Sequence, residues 1–156
     1  MKIQYSFLKN FLNTNLSQKK LSDVFTQVGF ECEIKGDLIE FDITPNRGDA
    51  LSLRGLEREF NAYQLIKPSH KLETSSLKLI QDKKIINRID GSGCGNYHLM
   101  LVKGLQKIKN LDSKKRSFIE SAGIPLINPL VDLGNYVMLE SGAPMHVFDL
   151  AKLALP

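Results

Sequence analysis

Residues 41–60 read FDITPNRGDALSLRGLEREF, and this stretch contains the clearest change of secondary structure in the chain. Its first residues favour a strand, which must stop near Thr44 because Pro45 has no backbone N–H to donate to a sheet. Apolar residues then recur at intervals of three and four from Leu53 onward, and this spacing predicts a helix with one buried face. Asp49, just ahead of that helix, is predicted to cap it. The stretch therefore predicts a strand, a sharp turn and a helix in succession.

The residues before this stretch predict a short strand and a second helix. Residues 2–8 alternate loosely between apolar and polar side chains, which is typical of a strand that runs into a turn of helix. The helix follows Ser17, a favourable N-cap, and ends at Gly29, which suits the left-handed conformation common at helix ends. The apolar face of this predicted helix is formed by Leu21, Val24, Phe25 and Val28.

A hairpin is predicted between the two helices. Segments 31–35 and 38–43 have strand-like patterns, and Gly36-Asp37 between them favours a tight turn. We therefore predict a small helix-plus-hairpin domain of the α+β class over residues 1–66.

The second half of the chain predicts another α+β region. Residues 67–76 are polar and without periodicity, which indicates a linker. The predicted strands beyond it cover 77–80, 85–89 and 97–104. Two helices are also predicted, one over 112–122 and one from Pro129 to Gly142, with Asn128 as the cap of the second. Leu130, Leu133 and Val137 are expected to form the buried face of the last helix. Because three strands and two helices make only a thin layer, residues 77–156 are predicted to be the first half of a domain.

Composition limits the classes of protein that fit this chain. Its 156 residues include 42% hydrophobic and 24% charged side chains, which is ordinary for a soluble globular protein. No apolar run approaches the roughly 20 residues that span a bilayer, so no membrane partner is expected. Cys32 and Cys94 are too few for a disulfide framework or a four-cysteine zinc site, and they favour the reducing cytoplasm. The three histidines have no spacing typical of a metal site, so no bound metal is predicted.

The net charge of +4 is concentrated in one segment. Residues 103–120 hold six basic side chains against two acidic ones. These candidate contacts to nucleic acid are Lys103, Lys107, Lys109, Lys114, Lys115 and Arg116. The alternative interpretation, a solvated loop and helix face, is favoured because interleaved aromatic residues are lacking.

The turn formed by Pro45, Asn46, Arg47 and Asp49 is the densest polar group in the first half. Arg47 could present its guanidinium to a phosphate or carboxylate ligand. Alternatively, it pairs with a carboxylate of its own fold, and this structural interpretation of the turn is the favoured one.

Two stretches resemble a known family. Residues 41–60 and residues 122–150 (AGIPLINPLVDLGNYVMLESGAPMHVFDL) are similar, in order, to two signatures of the bacterial phenylalanyl-tRNA synthetase beta subunit. The resemblance implies a part in charging tRNA with phenylalanine, using ATP and magnesium, within an alpha–beta heterotetramer. Because the family's synthetic active site lies on the alpha subunit, this chain alone is expected to lack aminoacylation activity and to bind neither cofactor.

The resemblance also implies how the two halves correspond to the family's domains. Residues 1–66 are similar to a B1-like domain, without the OB-type tRNA-binding module that the family commonly carries at about 36–38. Residues 77–156 are similar to the first half of a B3/B4-like domain that edits mischarged tRNA. The candidates for its editing pocket are Gly134, Asn135 and His146.

The sequence departs from the family pattern at three positions. Gly134 replaces a threonine, Met100 stands where an arginine is usual, and Lys114 lies where a tryptophan is found. These changes predict weakened editing. Two alternatives stay open, namely a freestanding or degenerate editing hydrolase and a non-catalytic module that binds RNA or protein.

Overall fold

The computed structural model describes residues 1–65, 93, 99–105 and 107–153. They fall into two compact units, which are described separately. The first unit contains residues 1–65 and 109–147, and the second contains the remaining described residues. The predicted linker and the predicted strands at 77–80 and 85–89 lie outside the described residues.

The first unit combines helices with a small antiparallel sheet. Its strands are β1 (Lys2–Gln4), β2 (Glu31–Lys35) and β3 (Leu38–Asp42), and its helices are α1 (Tyr5–Phe11), α2 (Gln18–Gln27), α3 (Leu53–Tyr63), α4 (Ser113–Ser121) and α5 (Pro129–Ser141). The strand order is β1-β3-β2, with Ile39 of β3 opposite both Ile3 and Ile34. The predicted α+β class is confirmed.

Local sequence signals place most of these elements correctly. The Ser17 hydroxyl accepts a hydrogen bond from the Lys20 N–H at the start of α2, as predicted. Asn128 Oδ1 accepts two backbone N–H bonds of 3.1 Å at the start of α5. Gly142 ends α5 with a φ of +81°, a conformation that glycine adopts at little cost.

The predicted cap of α3 is wrong. Residues Pro45–Ala50 form a 3₁₀ turn, so the α-helix begins only at Leu53. Ser52, not Asp49, occupies the N-cap position, and its hydroxyl accepts a 3.0 Å hydrogen bond from the Gly55 N–H. The 3₁₀ turn moves the helix start beyond the reach of the Asp49 carboxylate.

The core of the first unit contains residues from both halves of the sequence. The buried apolar side chains include Ile3, Leu8, Leu21, Phe25, Ile39, Phe41, Leu53, Leu56, Phe118 and Ile119. Phe7 of α1 stacks on Phe118 of α4, with ring centroids 4.3 Å apart. Helices α4 and α5 thus share a core with residues 1–65. The assignment of residues 1–66 and 77–156 to two domains of the family stays a prediction.

The buried face of α5 differs from the predicted one. Leu133 is 45% exposed, whereas Asp132 and Leu139 are buried. The Asp132 carboxylate accepts a 2.8 Å hydrogen bond from the Ile127 N–H, which satisfies it inside the fold. The helix therefore presents Asp132, Tyr136 and Leu139 to the core, a face rotated away from Leu133.

The second unit shows little regular structure over its described residues. Residues 99–104 contain no strand, so the strand predicted at 97–104 is not formed over the part that is described. An alternating pattern makes a strand only where a neighbouring strand takes its hydrogen bonds. A 3₁₀ turn covers Leu150–Lys152. The exposed large apolar side chains of this unit are Leu99, Met100, Val102, Leu105, Ile108, Phe148, Leu150 and Leu153.

Candidate functional site

The guanidinium of Arg47 is engaged by carboxylates of its own fold. Its Nε lies 3.0 Å from Asp49 Oδ1, and its Nη2 lies 2.8 Å from Glu59 Oε1. Asp49 also pairs with Arg58. The hydrogen bond from Arg47 is the main reason why the pKa of Asp49 lies below its usual value. These pairs agree with the structural interpretation of the Pro45–Asp49 turn.

An ion pair joins the helices that contain the two family-like stretches. Arg54 Nη2 of α3 lies 2.8 Å from Glu140 Oε1 of α5, and each side chain is about a quarter exposed. Burial and the neighbouring Glu140 carboxylate raise the pKa of Tyr136, one turn earlier in α5. Arg54 is not among the residues that the sequence predicts, because its partner lies 86 residues away and no local spacing can indicate such a pair.

Two of the editing-pocket candidates are neighbours in α5. Gly134 is buried, and Asn135 is half-buried beside it. His146 is exposed and follows the end of α5. A Cβ atom placed on Gly134 would lie 3.8 Å from Cβ of Met145, so the segment that carries His146 returns to the middle of α5. The structure thus places the three candidates on one helix and the segment that folds back against it.

The candidate nucleic-acid contacts differ in their surroundings. In α4, Lys115 bonds to Asp112 with Nζ 2.6 Å from Oδ2, and the same Nζ lies 5.6 Å from the ring centroid of Tyr136. Lys114 and Arg116 are exposed, as are Lys103, Lys107 and Lys109 of the preceding segment. Lys115 therefore acts first as a structural side chain, and its neighbours are the better candidates for contacts with phosphate.

The described residues contain neither a metal site nor a membrane span. No group of three or more His, Cys, Asp and Glu side chains among them could hold a metal ion. Within the same residues, no helix has the length and apolar character needed to cross a membrane.

Comparison with known proteins shows first that part of the chain is similar to a known domain. Residues 93–155 match the family model of the B3/4 domain, and this range contains all three editing-pocket candidates.

The chain is also similar to curated proteins. The phenylalanine–tRNA ligase beta subunit of Aquifex aeolicus is 39% identical over 117 residues, which are 74% of this chain and 14% of that subunit. The same subunit of Carboxydothermus hydrogenoformans is 36% identical over 80% of this chain and 15% of the subunit. That of Rhodopirellula baltica is 30% identical over 98% of this chain and 23% of the subunit. The chain is thus related to these beta subunits, as the two sequence stretches predicted, and it spans 14% to 23% of their length.

Proposed function

We propose that this chain acts as part of a phenylalanine–tRNA ligase beta subunit, which assembles with an alpha subunit to charge tRNA with phenylalanine in the cytoplasm. The observation that carries the proposal is similarity over 98% of this chain to one such subunit. ATP and magnesium would act elsewhere in the assembly, and this region would supply structure and a surface for tRNA.

Features of both units support a role inside a larger assembly. In the first unit, Arg47, Arg54 and Arg58 all pair with carboxylates of the fold, as expected of residues that hold a scaffold together. In the second unit, several large apolar side chains are exposed, namely Leu99, Met100, Val102, Leu105 and Ile108. Several exposed apolar side chains close together in the chain are expected where another protein segment covers the surface.

A chimera tests this proposal. This chain would replace the corresponding region of a related beta subunit, and the product would be purified with the cognate alpha subunit. We expect the chimera to form the complex and to charge tRNA with labelled phenylalanine, whereas the 156-residue chain alone forms no product. A chimera that fails to assemble although it is folded, or charging by the chain alone, would contradict the proposal.

Hydrolysis of mischarged tRNA is the second candidate function. It is favoured by the B3/4 match, which covers Gly134, Asn135 and His146. The amide of Asn135 and the imidazole of His146 can bond to a substrate hydroxyl, and such polar pockets discriminate strongly between amino acids that differ by one hydroxyl.

The editing activity can be measured as release of tyrosine from tyrosyl-tRNA. We expect His146→Ala and Asn135→Ala to slow the release, while His70→Ala, outside the residues that match the B3/4 domain, serves as the control. Gly134→Thr, which returns the hydroxyl typical of the family, should increase the rate. Release no faster than in buffer alone would exclude editing by this chain.

Contact with tRNA is proposed for the basic segment. Lys114 and Arg116 are exposed on α4, so their charges can reach phosphate. Changing both to Gln should weaken tRNA binding. It should also make the slope of log binding constant against log salt concentration less steep, by about 0.7–0.9 for each lost phosphate contact. The same change at Lys19 and Lys20, exposed on α2, is the matched control. An unchanged salt dependence in the α4 variant would remove these residues from the interface.

A further inference from the structure

A cavity lies between the loop that follows α1 and the C-terminal end of α3. Its volume is about 280 Å³, near the lower end of the range for small-molecule sites. Its apolar walls are Leu12, Leu16 and Phe60, and its polar lining includes Thr14, Asn61 and Gln64. All of these residues belong to the first unit, so the cavity is a feature of one compact body.

The amide of Asn61 is the unusual group in this cavity. The side chain is only 6% exposed, and its Nδ2 has no hydrogen-bond partner within the described part of the chain. A buried donor without an acceptor costs stability, so such a group in a folded protein needs an explanation. Nδ2 itself has almost no accessible surface, so it meets an occupant only after the amide turns about its last torsion, whose energy profile is broad and roughly two-fold.

The charges around the cavity restrict what can bind there. None of the residues that line it is ionised. Phe60, Asn61 and Gln64 lie at the C-terminal end of α3, where the helix dipole is negative. An anion would therefore lose its hydration without gaining a counter-charge. A neutral hydrogen-bond acceptor fits both the Asn61 amide donor and the negative end of the α3 dipole.

We propose that the cavity binds a small neutral compound in which an amide or carbonyl oxygen adjoins a short branched apolar group. The oxygen accepts the hydrogen bond from Asn61 Nδ2, and the apolar group packs against Leu12, Leu16 and Phe60. This binding site does not depend on the proposed role in tRNA charging, because it is formed only by residues of the loop that follows α1 and of the C-terminal end of α3.

Nuclear magnetic resonance of the ¹⁵N-labelled full chain tests the site, with isobutyramide as the probe. We expect the side-chain amide signals of Asn61 to shift and saturate with a dissociation constant on the order of millimolar. Isobutyrate has the same shape but is anionic, and it should produce no saturable shift. In Asn61→Leu, binding followed through the signals of Leu12 and Leu16 should be about tenfold weaker.

Three comparisons keep the result decisive. Asn15→Leu changes an exposed residue of the same loop that does not line the cavity, and it should bind isobutyramide as the parent does. If Asn61→Leu proves unfolded by circular dichroism, Asn61→Asp replaces it, since a carboxylate cannot donate the bond. No saturable shift in the parent chain would mean a hydrated cavity only, and equal affinity in the Asn61 variants would also overturn the proposal.

Discussion

Gly55 and Gly134 both lie in the interior of a buried helix, one in each family-like stretch, yet their surroundings differ. A Cβ on Gly55 would come within 2.7 Å of the Ala50 Cα and would also meet the Asp49 carbonyl oxygen. A Cβ on Gly134 would meet only Met145 Cβ, at an ordinary 3.8 Å. Glycine is therefore required at position 55 and only tolerated at position 134.

The difference extends to the chemistry of the two stretches. In residues 41–60, the backbone is closely packed, and the charged side chains form ion pairs with one another. In 122–150, Gly134 leaves room beside Asn135, and His146 follows on an exposed segment. The first stretch therefore has the properties of a scaffold, and the second combines a loosely packed helix position with an exposed segment.

The largest expected effect is that of Gly55→Ala. The added methyl overlaps the backbone of the Pro45–Ala50 turn, which cannot move without breaking the start of α3. We expect the free energy of unfolding to fall by about 3 kcal/mol, measured by urea denaturation. Gly48→Ala is the matched control, because no atom lies within 4 Å of its Cβ position. Similar losses in both variants would contradict a specific role of close packing at Gly55.

The second effect concerns the helix caps. Ser52→Ala removes a buried acceptor of the Gly55 N–H and should cost about 1–2 kcal/mol. Asn128→Ala removes the cap of α5, which is exposed and can be replaced by water, so its cost should be about 0.5–1 kcal/mol. Asp49→Ala should cost less than Ser52→Ala. A larger loss in Asp49→Ala would restore the cap that the sequence predicted.

The third effect concerns the ion pair between the two stretches. We expect a double-mutant cycle with Arg54→Met and Glu140→Gln to give a coupling energy of about 1 kcal/mol, since both groups are partly shielded. The two single variants should lose different amounts of stability. Glu140→Gln leaves the Arg54 charge without its partner, whereas Arg54→Met also removes a buried Nε that has no acceptor in the described residues. A coupling near zero would mean that the pair does not fix α5 on α3.

Much of the fold was predictable because its signals are local. Ser17 and Asn128 each bond to N–H groups within three residues, and Gly36-Asp37 joins adjacent strands. The start of α3 was predicted wrongly because Asp49 and Ser52 are both good caps, and only the 3₁₀ turn between them decides which one is used.

The candidate site was less predictable, since its contacts are distant in sequence. Gly134 and Asn135 could be predicted to lie together, because they are adjacent in the sequence and in one helix. Spacing cannot show that Met145 returns to Gly134, or that Asn61 Nδ2, beside a cavity, is buried with no hydrogen-bond partner among the described residues. Those facts depend on how complete elements pack, and no local pattern in the sequence indicates them.

The fourth effect is a gain in stability. Gly134→Ala should stabilise the chain by about 0.5–1 kcal/mol, because alanine favours the helix and its methyl has room beside Met145. Gly134→Thr should gain less, since a β-branched side chain is restricted in a helix. The midpoint of urea unfolding measures both. A loss as large as that of Gly55→Ala would show that the two glycines are equivalent after all.

The smallest effect is a dependence on pH at the first stretch. The Arg47 hydrogen bond lowers the pKa of Asp49 from its usual 3.8, so the folded chain holds this carboxylate ionised more readily than the unfolded chain. The resulting stabilisation is complete above about pH 5, well above the unfolded pKa, and is lost as the pH falls through the folded one. In Asp49→Asn, stability should therefore decline less between pH 5 and about 2.5 than in the parent chain. The Asp49 carboxylate is exposed, so the difference between the two chains should shrink in 0.5 M salt, where the Debye screening length is about 4–5 Å. A difference that is the same at low and high salt would mean that packing causes the effect.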